Sequence, residues 1–220
     1  MATLSIVRPA QPQRSLMWEA VGVCERMASV AMLAVLAPVL LPCAALLCLL
    51  SGRSPLIAHR RVGWRGHALW MIKLRTMWDR RSGNAPAAFR WIEYIEDTVG
   101  PRHKRSDDPR VSSEFARFCR RHSIDELPQL WHVMRGEMSL VGPRPITEAE
   151  IERYYGADAD EVLQLKPGIA GLWQVSGRNR LTYSDRRALD LELARRRSVR
   201  LYLKILLRTV PEVVSGANAW

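Results

Sequence analysis

Cysteine is scarce in this chain, and the four present show no paired spacing. Cys24, Cys43, Cys48 and Cys119 include no C-x-x-C pair, so neither a disulfide framework nor a zinc site is expected, and a reducing compartment fits. Charge is absent over a longer stretch. From Met27 to Leu50 the sequence MASVAMLAVLAPVLLPCAALLCLL holds 24 residues without one charged side chain, enough for a helix to cross a hydrocarbon core of about 30 Å. No clear small-x-small cleavage site follows at Gly52-Arg53, and the run is longer than a typical signal-peptide core, which argues against a cleaved leader. Zinc-finger, RRM and other nucleic-acid motifs are also missing, so the basic charge has no matching recognition signature.

What is present is a strongly basic chain of 220 residues with a net charge of +11, a length that allows one ordinary domain plus an appendage. The first 50 residues hold Arg8, Arg14 and Arg26 against Glu19 and Glu25, leaving +10 for the remainder. The basic part is therefore the polar part, suited to nucleic acid, anionic lipid headgroups or phosphorylated substrates. Pro38 and Pro42 interrupt the apolar run, and the bond from Pro38 to Ala34 is lost, so a kink is expected. Arg53, Arg60 and Arg61 follow the run as Arg8, Arg14 and Arg26 precede it. Near-symmetric basic flanks favour a re-entrant segment over a spanning one, because a spanning helix carries its basic excess on one side.

Beyond this segment, Leu56 to Met77 reads as a β-hairpin around Gly63-Trp-Arg-Gly66. Lys73 and Arg75 stand two apart at its end and share a face, which suits either an anion site or gatekeeper charges on a solvated edge. Trp78 to Arg110 reads as a long loop with a short helix near Phe89 to Asp97. In the carboxy-terminal third, Lys166-Pro-Gly-Ile-Ala-Gly171 leads to Ser176-Gly-Arg178, where glycines permit close backbone approach and Arg178 could meet phosphate. Arg196, Arg200, Lys204 and Arg208 recur every four residues beside a face of Leu203, Leu206, Leu207 and Val210. That pattern is an amphipathic basic helix, which either lies on an anionic leaflet or covers a core with a solvated face.

The most informative stretch is Arg121 to Pro145, RHSIDELPQLWHVMRGEMSLVGPRP. It sets Asp125 and Glu126 close to a Gly-Pro-Arg-Pro turn. An aspartate can attack phosphorus, a second carboxylate can hold a divalent cation, and an arginine can grip phosphoryl oxygens. The competing interpretation is a capping box between Ser123 and Glu126. Pro128 counts against it, since it would fall at the fifth helical position; a start near Leu127 leaves both acids just ahead of a helix.

The ordered series Arg61-Val-Gly63, Lys73-Leu-Arg-Thr-Met77, Asp108-Pro-Arg-Val111, Ser123-Ile-Asp-Glu-Leu-Pro-Gln129, Met138-Ser-Leu-Val-Gly-Pro-Arg-Pro145, Lys166-Pro-Gly168 and Ser176-Gly-Arg178 resembles the bacterial sugar transferases, the monotopic polyprenyl-phosphate phosphoglycosyl transferases. The resemblance runs from about Val21 to the terminal Trp220. It implies transfer of a sugar phosphate from a UDP-sugar to polyprenyl phosphate at the cytoplasmic face of the bacterial inner membrane, releasing UMP, as a first membrane step in exopolysaccharide or related glycan assembly. It implies Asp125 as the nucleophile at the β-phosphorus and Glu126 as a ligand to Mg²⁺. Lys73, Arg144 and Arg178 match basic positions around the phosphates, with Arg75 beside Lys73, and Asp190 matches a further acid position. Pro38 matches the membrane hinge, where the family commonly has Ser-Pro and this chain has Ala37-Pro38.

The expected architecture is an α+β fold, mainly helical with a small β-hairpin, in a monotopic membrane protein. Residues 1–26 form an interfacial segment, 27–50 a re-entrant membrane helix, and 51–220 a cytoplasmic catalytic domain with the carboxy-terminal amphipathic helix. Expected partners are the UDP-sugar, polyprenyl phosphate, membrane lipids and downstream glycosyltransferases, with a homodimer compatible and nucleic acid not expected. A membrane-tethered nucleic-acid binder and a non-catalytic assembly partner are the rival classes. Neither accounts for the acid pair.

Overall fold

The computed structural model describes residues 15–78, 90–96, 110–111, 113–177 and 180–216. The apolar run lies within one long helix, α1, over Leu16–Ser51, which continues through Pro38 and Pro42 and across the division expected at residue 26. Gly52 ends it in the left-handed region, φ 65°, and its N–H bonds to the Cys48 carbonyl. Helix α1 is not free of the rest. Glu25, Ser29 and Leu47 are buried, and Leu40, Cys43 and Ala44 are partly buried, at the three- and four-residue spacing that forms one helix face. The other face exposes Met27, Val30, Val35, Val39, Leu41, Leu46 and Leu49.

The expected hairpin is present. Strands β1 (Leu56–Val62) and β2 (Ala68–Leu74) pair antiparallel across a tight turn at Trp64–Gly66. The short helix expected near Phe89 to Asp97 is not formed by the described part of that stretch, residues 90–96. Ile92–Ile95 is instead strand β3, parallel to β1 with Leu56 opposite Ile92. Its Ile-Glu-Tyr-Ile sequence is rich in β-branched and aromatic residues, which suit a pleated surface, and the unpaired edge of β1 supplied a partner that local periodicity could not reveal.

Helix α2 (Glu114–Arg121) is capped by Ser113, whose side chain accepts from the Ala116 N–H. A 3₁₀ segment, Ile124–Gln129, then leads into α3 (Leu130–Arg135) and β4 (Ser139–Val141). Two short helices follow, α4 (Glu148–Glu150) and α5 (Ala159–Val162). Strand β5 (Gly168–Ala170) lies parallel to β4. The chain closes with α6 (Tyr183–Arg195) and α7 (Val199–Ser215). Arg196 ends α6, and Ser198 caps α7, so the four-residue basic repeat spans two helices and only Arg200, Lys204 and Arg208 share α7. In α7, Ile205 is buried against Val141, Ala170 and Leu193, while Leu203, Leu207, Val210 and Val214 remain exposed.

The core has several small clusters. One joins α1 to the rest: Leu47 packs with Leu74, Trp78, Val111, Ala116 and Cys119. Full burial of a leucine side chain is worth roughly 1.5–3 kcal/mol, so Leu47 is a substantial anchor. All four cysteines are free.

Candidate active site

Strand β2 delivers the first cation. Its odd positions Leu69, Met71 and Lys73 point to one side, where Leu69 packs on Val133 and Met138. The same face therefore carries Lys73 into a covered position. There its ammonium meets Glu126 Oε1 at 2.7 Å, with side-chain exposures of only 13% and 15%. Burial holds Lys73 below its ordinary pKa, partly opposed by Glu126. The gatekeeper alternative for Lys73 fails for this reason: the residue is an inward cation rather than a solvated edge charge.

Glu126 and the buried Asp125 lie within the 3₁₀ segment. Ser123 precedes them at φ 54°, a left-handed conformation unusual for a residue with a side chain. It makes no side-chain cap, so the capping box is not formed. The α-helix begins at Leu130, and the acids occupy the tighter turn before it rather than a loop just ahead of Leu127. Ile124 packs against the α1 cluster, and Asp125 acts electrostatically on the Cys119 thiol beside Cys43 of α1. The acid pair is thus adjacent to the apolar helix.

Arg144 supplies the second cation, with Nη1 3.6 Å from Glu126 Oε1. Its turn is fixed by close backbone contact between two motifs. Gly168 N–H donates to the Pro143 carbonyl at 2.8 Å, and Gly142 N–H to the Ala170 carbonyl at 2.9 Å. A Cβ at Gly168 would lie 2.0 Å from Gly142 N, so Gly-Pro-Arg-Pro and Lys-Pro-Gly fit only because both glycines lack side chains.

On the far side of Arg144 lies a second polar cluster. Asp190 is fully buried, accepts from the Tyr155 hydroxyl at 2.8 Å, and has its other oxygen without a hydrogen-bond partner among the described residues. Burial pushes Asp190 up to about 7, against the opposing influence of Tyr155, Arg144 and Arg186. The Arg186 guanidinium lies 4.7 Å from the Trp173 ring centre and 5.0 Å from that of Tyr183, while Arg144 lies 5.9 Å from Trp173.

The expected site residues therefore divide. Asp125, Glu126, Lys73 and Arg144 come together, and Asp190 stands behind Arg144. Arg75 is directed elsewhere, donating to the Ser54 carbonyl at 2.7 Å and to Glu93 at 2.6 Å. Arg178 lies outside the described residues. Pro38 is an exposed position inside α1.

Sequence reasoning missed His132. Its Nε2 accepts from the Ile72 N–H at 3.2 Å, and its Nδ1 donates to Glu137 at 2.6 Å. The ring thereby clamps α3 to the outer edge of β2, next to Lys73. Glu25, the lone acid that reaches inward from α1, was missed as well.

Two adjacent carboxylates with waters and substrate phosphates suit Mg²⁺, which seldom uses a cage of protein ligands alone. Among the described residues no group of three or more His, Cys, Asp or Glu is arranged to hold a metal, so Asp125 and Glu126 are the carboxylates present here that could contribute to one.

A family model described as bacterial sugar transferase matches residues 19–216. The chain is 39% identical over 193 residues to the exopolysaccharide production protein ExoY of Rhizobium meliloti, covering 88% of this chain and 84% of that protein. It is 37% identical over 206 residues to the UDP-glucose:undecaprenyl-phosphate glucose-1-phosphate transferase of Caulobacter vibrioides, covering 90% and 71%. With the UDP-galactose-lipid carrier transferase of Erwinia amylovora it shares 40% identity over 169 residues, 77% of this chain but 35% of that protein. This chain thus spans about a third of the Erwinia relative. A match over nearly the whole chain, with the acid pair and both basic turns inside it, establishes that the protein belongs to the bacterial sugar transferase family.

Proposed function

We propose that this phosphoglycosyl transferase moves a sugar 1-phosphate from a UDP-sugar to polyprenyl phosphate, through a phospho-aspartyl intermediate on Asp125. The observation that carries this reading is the convergence of Lys73 and Arg144 on Glu126 beside buried Asp125, next to an apolar helix. An Asp125 oxygen attacks the β-phosphorus, the bond to the oxygen bridging the two phosphorus atoms breaks, and UMP leaves with the electron pair. An oxygen of polyprenyl phosphate then attacks the same phosphorus and frees the carboxylate. Lys73 and Arg144 exchange part of their contact with Glu126 for phosphoryl oxygens, which satisfies the buried ammonium and orients the diphosphate. Glu126 would hold Mg²⁺, which offsets diphosphate charge and steadies the leaving group.

The acceptor is insoluble in water and the donor insoluble in lipid, so the reaction requires a site where the two solvents meet. Helix α1 lies along the domain on one face, from Glu25 to Leu47. A helix crossing the bilayer would carry this contact face, and the basic domain with it, into hydrocarbon; a re-entrant path keeps both ends at one surface. This supports placing α1 as a re-entrant element at the cytoplasmic face of the inner membrane; α1 continues through Pro38 and Pro42, and these prolines are where such a path would bend.

The test is UMP release by the protein in lipid nanodiscs with Mg²⁺, undecaprenyl phosphate and a panel of UDP-sugars. Release with one donor, lost in Asp125→Asn, is the expected result. No release from any donor by a folded protein would contradict the reading.

A further inference from the structure

Glu25 is buried in α1, and one oxygen, Oε1, accepts from the Ser139 hydroxyl, from the Leu140 N–H at 2.7 Å and from the Tyr202 hydroxyl at 2.6 Å. All three donors are neutral. Lys166 and Arg197 stand near this carboxylate: Lys166 precedes Pro167, whose carbonyl accepts from the Ser139 N–H at 2.9 Å, and both cations are within electrostatic reach of Glu25. Arg26, the next residue of α1, lays its guanidinium against Gly136 and is within electrostatic reach of Lys166. Among the described residues none of the three cations forms a salt bridge, and Glu25 is the one carboxylate within electrostatic reach of Lys166 and Arg197.

Aromatic rings hold two of them instead. Arg197 lies 3.7 Å from the centre of the Trp18 ring, and Trp18 meets Tyr202 edge-on at 6.3 Å. The Lys166 ammonium lies 5.3 Å from the Trp64 ring centre. Stacking of this kind fixes a cation while leaving its N–H groups able to bind an anion. Arg26 and Arg197 are exposed. The surroundings are apolar: Met17, Val23 and Met27 of α1 and Leu203 and Leu207 of α7 are exposed on the helices that meet at this point.

We propose that Arg26, Lys166 and Arg197 form a binding site for the phosphate headgroup of an anionic glycerophospholipid, with its acyl chains along the exposed faces of α1 and α7. The excess of cations supplies charge complementarity, and the apolar rim favours a phosphate that carries chains over a soluble one. The site is distinct from the acid pair, whose cations are Lys73 and Arg144. It rests on the membrane placement of α1 proposed above, not on the catalytic reading.

The experiment follows thermal unfolding of the full chain in a neutral detergent, titrated with phosphatidylglycerol, phosphatidylcholine or inorganic phosphate, with vesicle flotation in parallel. Phosphatidylglycerol is expected to raise Tm saturably, by about 2–5 °C, and the other two to leave it unchanged. Lys166→Gln with Arg197→Gln removes the shift, whereas Arg200→Gln with Lys204→Gln, which deletes the same charge from α7, retains it. Should loss of the Trp18 contact unfold the first variant, Arg26→Gln alone weakens the apparent affinity by about tenfold. Equal shifts with phosphatidylcholine or phosphate, an unchanged response in the site variants, or equal loss in the α7 control would overturn the proposal. Flotation on both vesicle types without discrimination between headgroups in Tm rejects the site alone. Failure to float on either rejects the membrane placement and the site together.

Discussion

Glu25 and Glu126 are both shielded carboxylates, and they are held in opposite ways. Glu25 takes two hydroxyls and one backbone N–H, with its cations outside hydrogen-bonding contact. Glu126 takes Lys73 directly and Arg144 at 3.6 Å. Neutral donors have nowhere else to go, so Glu25 is a permanent tie between α1, β4 and α7. Cations can be shared with an arriving phosphate, so the Glu126 arrangement is suited to exchange. Burial alone does not mark function; the kind of partner does.

Substitutions break or sharpen this contrast to different degrees. Asp125→Asn should lower turnover by at least about 10³-fold while leaving the thermal transition intact, because removing the proposed nucleophile removes the covalent route. Steady-state UMP release and a melting curve on one preparation check both halves. Glu126→Gln removes the carboxylate that Lys73 and Arg144 share and should cost about 10²-fold in kcat/KM, whereas Glu25→Gln keeps an acceptor oxygen and should keep most activity. Comparable losses in the two variants would erase the distinction.

Glu25→Ala strands three donors and should cost at least about 3 kcal/mol in stability, since each unsatisfied buried group costs about 1–3 kcal/mol; denaturant titration reads this. Asp190 provides a pH test of a third buried carboxylate. Its folded value of about 7 lies above the ordinary 3.8, so folding takes up a proton between these values, and that contribution is lost as pH rises through about 7. The Tm of the wild type should therefore fall relative to Asp190→Asn between about pH 5 and pH 8. A parallel pair of Tm curves would show that the burial of Asp190 has no such consequence. The smallest effect is expected from Tyr202→Phe, which removes one of the three donors to Glu25 and should cost about 1 kcal/mol.

Much of this was legible in the sequence where the signal was local. The glycine-bounded turn gave the hairpin, the uncharged run gave α1, and the sequence around Asp125 and Glu126 pointed to phosphate chemistry. What could not be read depended on distant partners. Ile92–Ile95 became a strand because β1, far away in sequence, offered an edge. His132 became a clamp because it meets Ile72, 60 residues away. Arg75 shares the neighbourhood of Lys73 in sequence, yet the strand ends at Leu74, and Arg75 turns to Ser54 and Glu93. The pattern of Leu69, Met71 and Lys73 did carry a usable clue: a lysine in phase with two apolar residues on an inward face needs an anionic partner.

The central claim, a covalent phospho-aspartyl intermediate, is tested most directly by incubating the protein with a UDP-sugar labelled in the β-phosphate, without acceptor, and mapping the label by peptide mass spectrometry. The account predicts label on Asp125, absent from Asp125→Asn and discharged by added polyprenyl phosphate. Turnover with acceptor but no trapped label, or label that persists in Asp125→Asn, would contradict it.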